Sequence, residues 1–187
     1  MQQPDTNGTL ISNDYLATQK KLHENPKYGV ASLTYAPVVA NIIRATGVKS
    51  VCDYGAGKMN LKTALMQAGL QFDYFPYDPV FPEYGEARSA DLVCCIDVLE
   101  HIEPEYLNNV LAHLARITVN IGFFTVALNP AKKTLPDGRN AHLIQKPSSW
   151  WLPQLCQFFE TDSMLTNPHG FWVLTRPRKL ETVCAEK

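Results

Sequence analysis

Between residues 49 and 128 short apolar runs alternate with segments whose apolar residues recur at helical spacing, and few architectures accept such a chain. Residues 50–53, 71–77, 91–97 and 122–128 read as strands. Between them, Leu61, Ala64, Leu65 and Ala68 lie on one helical face and are followed by Gly69. Leu107, Val110, Leu111 and Leu114 form a second stripe behind Pro104, a residue suited to a first helical turn. Strands separated by amphipathic helices pair in parallel, because each helix carries the chain back across a face of the sheet. The class is therefore α/β, with a doubly wound, mostly parallel sheet. Residues 161–165 and 171–175, on either side of Asn167-Pro168-His169-Gly170, add an antiparallel C-terminal hairpin.

Outside that core the patterning is helical or irregular. A helix is expected over 14–23, with Asp14 near its cap, then a turn over 24–29 marked by Asn25-Pro26 and Gly29. Tyr35, Val38, Val39, Ile42 and Ile43 predict another helix, with Gly47 at its C-cap. These elements suggest a helical lid or cap over 1–47 on a sheet domain over 48–187, within one compact domain. Residues 129–147 contain Asp137-Gly138 and several polar side chains without periodicity, and loops of that length are commonly functional. Ser148 then precedes a last helix containing Trp150, Trp151 and Leu155.

Composition excludes several classes of function. The 187 residues are 45% hydrophobic and 19% charged with net charge −1, which argues against a nucleic-acid footprint built on clustered positive charge. The cluster Arg176-Pro177-Arg178-Lys179 reads as a solvated edge. No apolar run approaches a membrane span, and MQQPDTNGTL lacks the pattern of a secretory signal. Cys52, Cys94, Cys95, Cys156 and Cys184 include no Cys-x-x-Cys pair, so buried thiols in a cytoplasmic protein are expected. Acidic residues and histidines are not grouped at ligand spacing along the chain, so no metal is expected.

The stretch VCDYGAGKMNL carries the chemistry. Two glycines on alternate positions after a strand let backbone approach a ligand closely. Asp78, 21 residues beyond Gly57 and at the end of the next strand, stands where a ribose-binding carboxylate belongs. A phosphate-binding P-loop is excluded, since Gly57-Lys58-Met59 lacks the magnesium-binding hydroxyl. A dinucleotide site wants a glycine where Asn60 stands, and Asp53 would repel a pyrophosphate. Asp53 suits an adenosine-type ligand bearing an ammonium group.

Asp53-Tyr54-Gly55-Ala56-Gly57 resembles the first motif of class I S-adenosylmethionine-dependent methyltransferases. Asp78 matches their ribose-binding acid, and Asp97-Val98-Leu99-Glu100-His101 resembles the segment after their fourth strand. Together with DGRNAH over 137–142, the chain is similar to a small bacterial and phage-type subgroup of that class. The resemblance implies a Rossmann-like fold and S-adenosylmethionine as cofactor. It assigns the methionyl part to Asp53, Tyr54 and the backbone of Gly55 and Gly57. Asp78 and Pro79 would take the ribose, and Asp97 and Val98 the amino-acid and methyl end. Met59 replaces the motif's third glycine, and 12 residues between Asp78 and Asp91 are too few for the usual third strand. Glu86, Ala87 and Arg88 are then candidates for adenine contacts.

The acceptor end is expected in the loop over 129–147, with His142 as general base and Arg139 as a grip on the acceptor. His101 is a second candidate, and His113 is expected on the solvated face of its helix. Tyr28 and Gly29 are candidates for a lid. The expected activity is O-methylation of a small hydroxylated acceptor such as a sugar or glycan precursor, with no membrane partner and no sequence argument for an oligomer. A methyltransferase of nucleic acid or protein is one alternative; a catalytically silent, cofactor-binding regulatory domain is another.

Overall fold

The computed structural model describes residues 8–25 and 28–178, so Cys184, Lys179 and the turn at Pro26 lie outside the described residues. Two helices, α1 (Asn13–His23) and α2 (Ala31–Thr46), precede the sheet. Then follow β1 (Ser50–Tyr54), α3 (Asn60–Gln67), β2 (Asp73–Tyr77), β3 (Ala90–Ile96), α4 (Leu107–Ile117) and β4 (Thr118–Ala127). Helix α5 (Ser148–Leu155) leads into the hairpin of β5 (Phe159–Asn167) and β6 (Gly170–Pro177).

The six strands lie in the order β2-β1-β3-β4-β6-β5. The first four pair in parallel, and the two hairpin strands are antiparallel. Strand order reverses between β1 and β3, which opens a crevice at their carboxyl ends. A 3-10 turn over Pro82–Tyr84 stands in place of a third strand and its helix, so β2 is an edge. The shortened segment after Asp78 is thus a property of the fold, as its length required.

Side-chain alternation along β3 builds two cores. Leu92, Cys94 and Ile96 pack with Val39, Ala40 and Ile43 of α2 and Leu61 and Leu65 of α3. Val93 and Cys95 face the other way, toward Leu111 and Leu114 of α4 and Trp151 and Leu155 of α5. Within the segment expected as a lid, α2 therefore belongs to the core, and Gly47 ends it in the left-handed region at φ 67. Helix α1 is capped by Ser12, whose backbone N–H and hydroxyl both donate to Glu103, at 2.8 and 2.6 Å. That carboxylate ties α1 to the turn preceding α4.

Three sequence expectations change here. Strand β4 begins four residues before Gly122, directly at the C-cap of α4. Pro104 opens a 3-10 turn, Pro104–Tyr106, and α4 follows it. His113 is buried and not solvated: its Nδ1 lies 3.1 Å from the Tyr54 hydroxyl, and its ring meets those of Tyr54 and Tyr77 edge-on. The buried stripe of α4 is broader than four leucine-type residues suggest, since Asn109 and Ile117 are also covered.

Candidate functional site

The loop after β1 is shaped by three alternate residues with positive φ: Gly55 at 81°, Gly57 at 49° and Met59 at 55°. Gly55 cannot be replaced cheaply, because a Cβ there would stand 2.4 Å from Val98 Cγ2. Met59 adopts the conformation that a glycine would take without strain, at the N-terminus of α3. The N–H groups of Gly55 and Ala56 both donate to the Tyr77 carbonyl, at 2.7 and 3.0 Å. The Asp78 carboxylate accepts from Gly57 N at 3.0 Å and from Val80 N at 2.9 Å. The acid is therefore the clasp between the glycine loop and the end of β2.

Asp53 is 3% exposed and accepts a short hydrogen bond from the Tyr74 hydroxyl. Burial pushes its carboxyl up to about 7; the Tyr74 bond opposes that rise and the nearby Asp78 adds to it. Burial also raises Asp78, against the pull of its two N–H donors. Two partly desolvated acids in one crevice favour a ligand that brings hydrogen-bond donors or positive charge.

Helix α1 roofs this crevice with Tyr15, Gln19 and His23. The His23 Cε1 lies 3.5 Å from where a Gly57 side chain would begin, so the ring covers the glycine loop. Its Nδ1 is buried without a partner among the described residues, and burial lowers its pKa to about 4. A neutral imidazole with an unpaired nitrogen over a glycine loop is a feature that a polar ligand would satisfy. No sequence motif marks these three residues; the helical spacing of positions 15, 19 and 23 is the one available signal.

At the other end of the crevice, β3 is followed by Asp97, a non-glycine residue with φ 59 whose N–H donates to Thr125 Oγ1 at 2.9 Å. Val98 packs on Gly55, and a 3-10 turn, Leu99–His101, follows. Glu100 is fully buried: Oε1 accepts from Ala127 N, while Oε2 has no donor among the described residues. Burial and then the adjacent Asp97 raise its pKa well above the ordinary range.

The loop over 129–147 is ordered by Asn140. Its Oδ1 accepts from Ala131 N and His142 N, and its Nδ2 donates to Ala131 O, each at 2.9 Å. Leu135 and Ala141 are buried against Tyr15, so the loop and α1 share a small core of their own. His142 thereby reaches His101, with ring centroids 4.8 Å apart. A nitrogen from each ring and an oxygen of Asp97 all lie within 4.8 Å of one another. The absence of ligand spacing along the sequence is corrected by this grouping, because folding brings His142 beside residues 97–101.

Other candidates fall elsewhere. Arg139 is folded back on Asp137 at 2.7 Å, half exposed, and does not line the crevice. Its guanidinium also lies over the Tyr15 ring, 5.9 Å from the centroid. Arg88 stacks on Phe75 at 3.8 Å and Ala87 packs against the core, so Pro79 and Val80 line the crevice where 86–88 were expected. Tyr28 and Gly29 do line it. Arg176 and Arg178 pair with Asp162 and Glu160 across the hairpin, which engages both arginines of the terminal basic cluster.

No protein-family model matches the chain, and no curated protein sequence matches it. Solved structures do. The 1,6-didemethyltoxoflavin-N1-methyltransferase of Burkholderia thailandensis, with 1,6-didemethyltoxoflavin and S-adenosylhomocysteine bound, is 14% identical over 96% of this chain and 92% of its own, with TM-score 0.61. The magnesium protoporphyrin IX methyltransferase of Synechocystis PCC 6803, with bound S-adenosylmethionine, is 16% identical over 88% of this chain and 92% of its own, with TM-score 0.55. The mitomycin 7-O-methyltransferase MmcR is 17% identical over 87% of this chain, which spans 60% of that protein, with TM-score 0.63. The likeness is one of fold: a Rossmann-like sheet of the class I methyltransferase type.

Proposed function

We propose that the chain is an S-adenosylmethionine-dependent methyltransferase acting on a small hydroxylated acceptor, a sugar or glycan precursor among them. The observation that carries this reading is Asp78, buried at the end of β2 and bonded to the Gly57 N–H in the crevice at the switch in strand order. A carboxylate so placed accepts the hydroxyls of a ribose laid over the glycine loop. S-adenosylmethionine supplies a methyl group activated on a sulfonium. Asp53 and Asp78 bring two acidic groups to the crevice, beside the backbone of the glycine loop. Tyr15, Gln19 and His23 cover it and exclude water.

Methyl transfer is a displacement in line with the bond that breaks, so placement of the acceptor is the main requirement. The acceptor end is formed by Asp97, His101 and His142, which border the opening beneath residues 130–133; Asp97 and His101 also line the crevice. The 1,6-didemethyltoxoflavin bound to one similar protein and the mitomycin for which another is named support a small acceptor.

Calorimetric titration with S-adenosylmethionine and S-adenosylhomocysteine tests the reading. Micromolar binding is expected, with Asp78→Asn weakening it about 10–100-fold, the worth of a charge-assisted hydrogen bond at about 1.5–3 kcal/mol. Absence of binding at millimolar ligand refutes it.

A further inference from the structure

The two imidazoles at the acceptor end share an arrangement that a general base does not require. His101 Nδ1 lies 2.8 Å from the Ala141 carbonyl, and His142 Nδ1 lies 2.6 Å from the Asn129 carbonyl. A carbonyl oxygen only accepts, so both Nδ1 atoms carry the proton. In the neutral rings each Nε2 is then left with a free lone pair. This is the tautomer that metal-binding histidines adopt, with the other nitrogen donating to a carbonyl that fixes the ring.

The acids beside them point the same way. Asp97 takes left-handed backbone, a strained choice that turns its carboxylate toward the rings. Behind it, Glu100 is fully buried, and its Oε2 has no donor among the described residues. The Glu100 carboxyl lies beside that of Asp97. Lys133, a lysine of this opening, is drawn over the Tyr28 ring at 4.4 Å.

We propose that Asp97, His101 and His142 bind one divalent transition-metal ion, with Glu100 supporting Asp97 from behind. Two imidazoles and a carboxylate suit zinc, cobalt, manganese or ferrous iron better than magnesium, which prefers oxygen ligands throughout. Bonds of about 2.1 Å place neighbouring ligand atoms roughly 3–3.5 Å apart. The groups, within 4.8 Å of one another, close by up to roughly 1.3–1.8 Å when the ion binds. Three protein ligands leave positions open, and these face the acceptor end of the crevice. A hydroxyl bound there gives its proton to water more readily than a free one, because the ion stabilises the oxygen anion. Ligation would occupy the His142 lone pair that a general base uses, so the proton would leave to water and the ion would only make the hydroxyl more acidic. The metal site stands on its own; its use in activating an acceptor rests on the methyl-transfer reading.

The test uses the full chain stripped with chelator and titrated with Co2+, followed by its visible absorption, and with Zn2+ by calorimetry. One equivalent of each ion is expected to bind. His142→Ala and Asp97→Asn are expected to weaken binding at least tenfold, while Arg139→Ala binds like the parent protein. His101→Ala removes a more confined ring, so His142→Ala is the deciding variant, with its fold checked by thermal unfolding. No stoichiometric binding, or binding that His142→Ala and Asp97→Asn leave unchanged, overturns the proposal. Titration of the same preparations with S-adenosylmethionine separates the two readings. Cofactor binding without metal binding removes the metal site alone, and metal binding without cofactor binding removes the methyltransferase alone.

Discussion

The two ends of the crevice are built on different principles. The proposed cofactor end is local: Asp53 to Met59 are contiguous, and Asp78 joins them through the backbone of the adjacent strand. The proposed acceptor end is assembled at a distance, with His142 delivered to Asp97 and His101 by a loop held in place chiefly by Asn140 and three buried apolar side chains, Leu135, Ala141 and Ile144. A site made from one strand–loop–helix is stabilised by the sheet itself. One made from separate segments depends on the few contacts that dock its loop, and damage to the loop should spare the sheet.

The largest expected effect breaks the local end. Gly55→Ala forces a side chain onto Val98 and leaves a residue at φ 81, so denaturant unfolding should show a loss of about 2–4 kcal/mol, with cofactor binding lost in calorimetry. Gly55→Ala combined with Val98→Ala should recover the steric part only. Asn140→Ala comes next and probes the distant end. It removes three hydrogen bonds of the loop, so turnover should fall at least tenfold and amides 131–142 should exchange faster. Cofactor affinity should stay within about twofold of the parent; equal loss of both would mean the ends are not separable.

A pH series sharpens the comparison further. Asp53 has a folded pKa of about 7, above its ordinary value of 3.8, so the folded protein binds a proton that the unfolded chain has released between those values. Stability should therefore decline as pH rises from about 4 to 7 and level off above, and Asp53→Asn should flatten that slope in thermal melts. The smallest effect is a gain. Met59→Gly relieves left-handed backbone and should raise the melting temperature by about 2–4 °C, equivalent to about 1 kcal/mol.

The contrast between the ends also governs what is legible in the sequence. Strand–helix alternation, the Gly47 cap, the glycine loop and Asp78 can be read there because each is encoded within a few residues or within one βαβ unit. The burial of His113 cannot, since it depends on Tyr54 and Tyr77 arriving from two strands. Arg139 departs from expectation for a related reason: the Asp137 carboxylate two residues away captures its guanidinium, and a loop's direction is set by docking, not by composition. The grouping of His142 with Asp97 has no trace in local spacing. Neither has the roof of α1, whose position follows from the hold of Glu103 on Ser12.

The missing third strand has a consequence for how the molecule meets its neighbours. It leaves β2 as one rim of the sheet, where an unpaired ladder would invite a strand from another chain. That rim carries Pro76, which has no N–H to offer, and Arg88 lies over Phe75. The opposite rim, β5, is interrupted between Thr161 and Ser163 and bears Glu160 and Asp162, each engaged with an arginine from the hairpin's returning arm. Both rims thus resist continuation, and the sheet is protected against edge-to-edge aggregation at the very place where the shortened crossover exposed it.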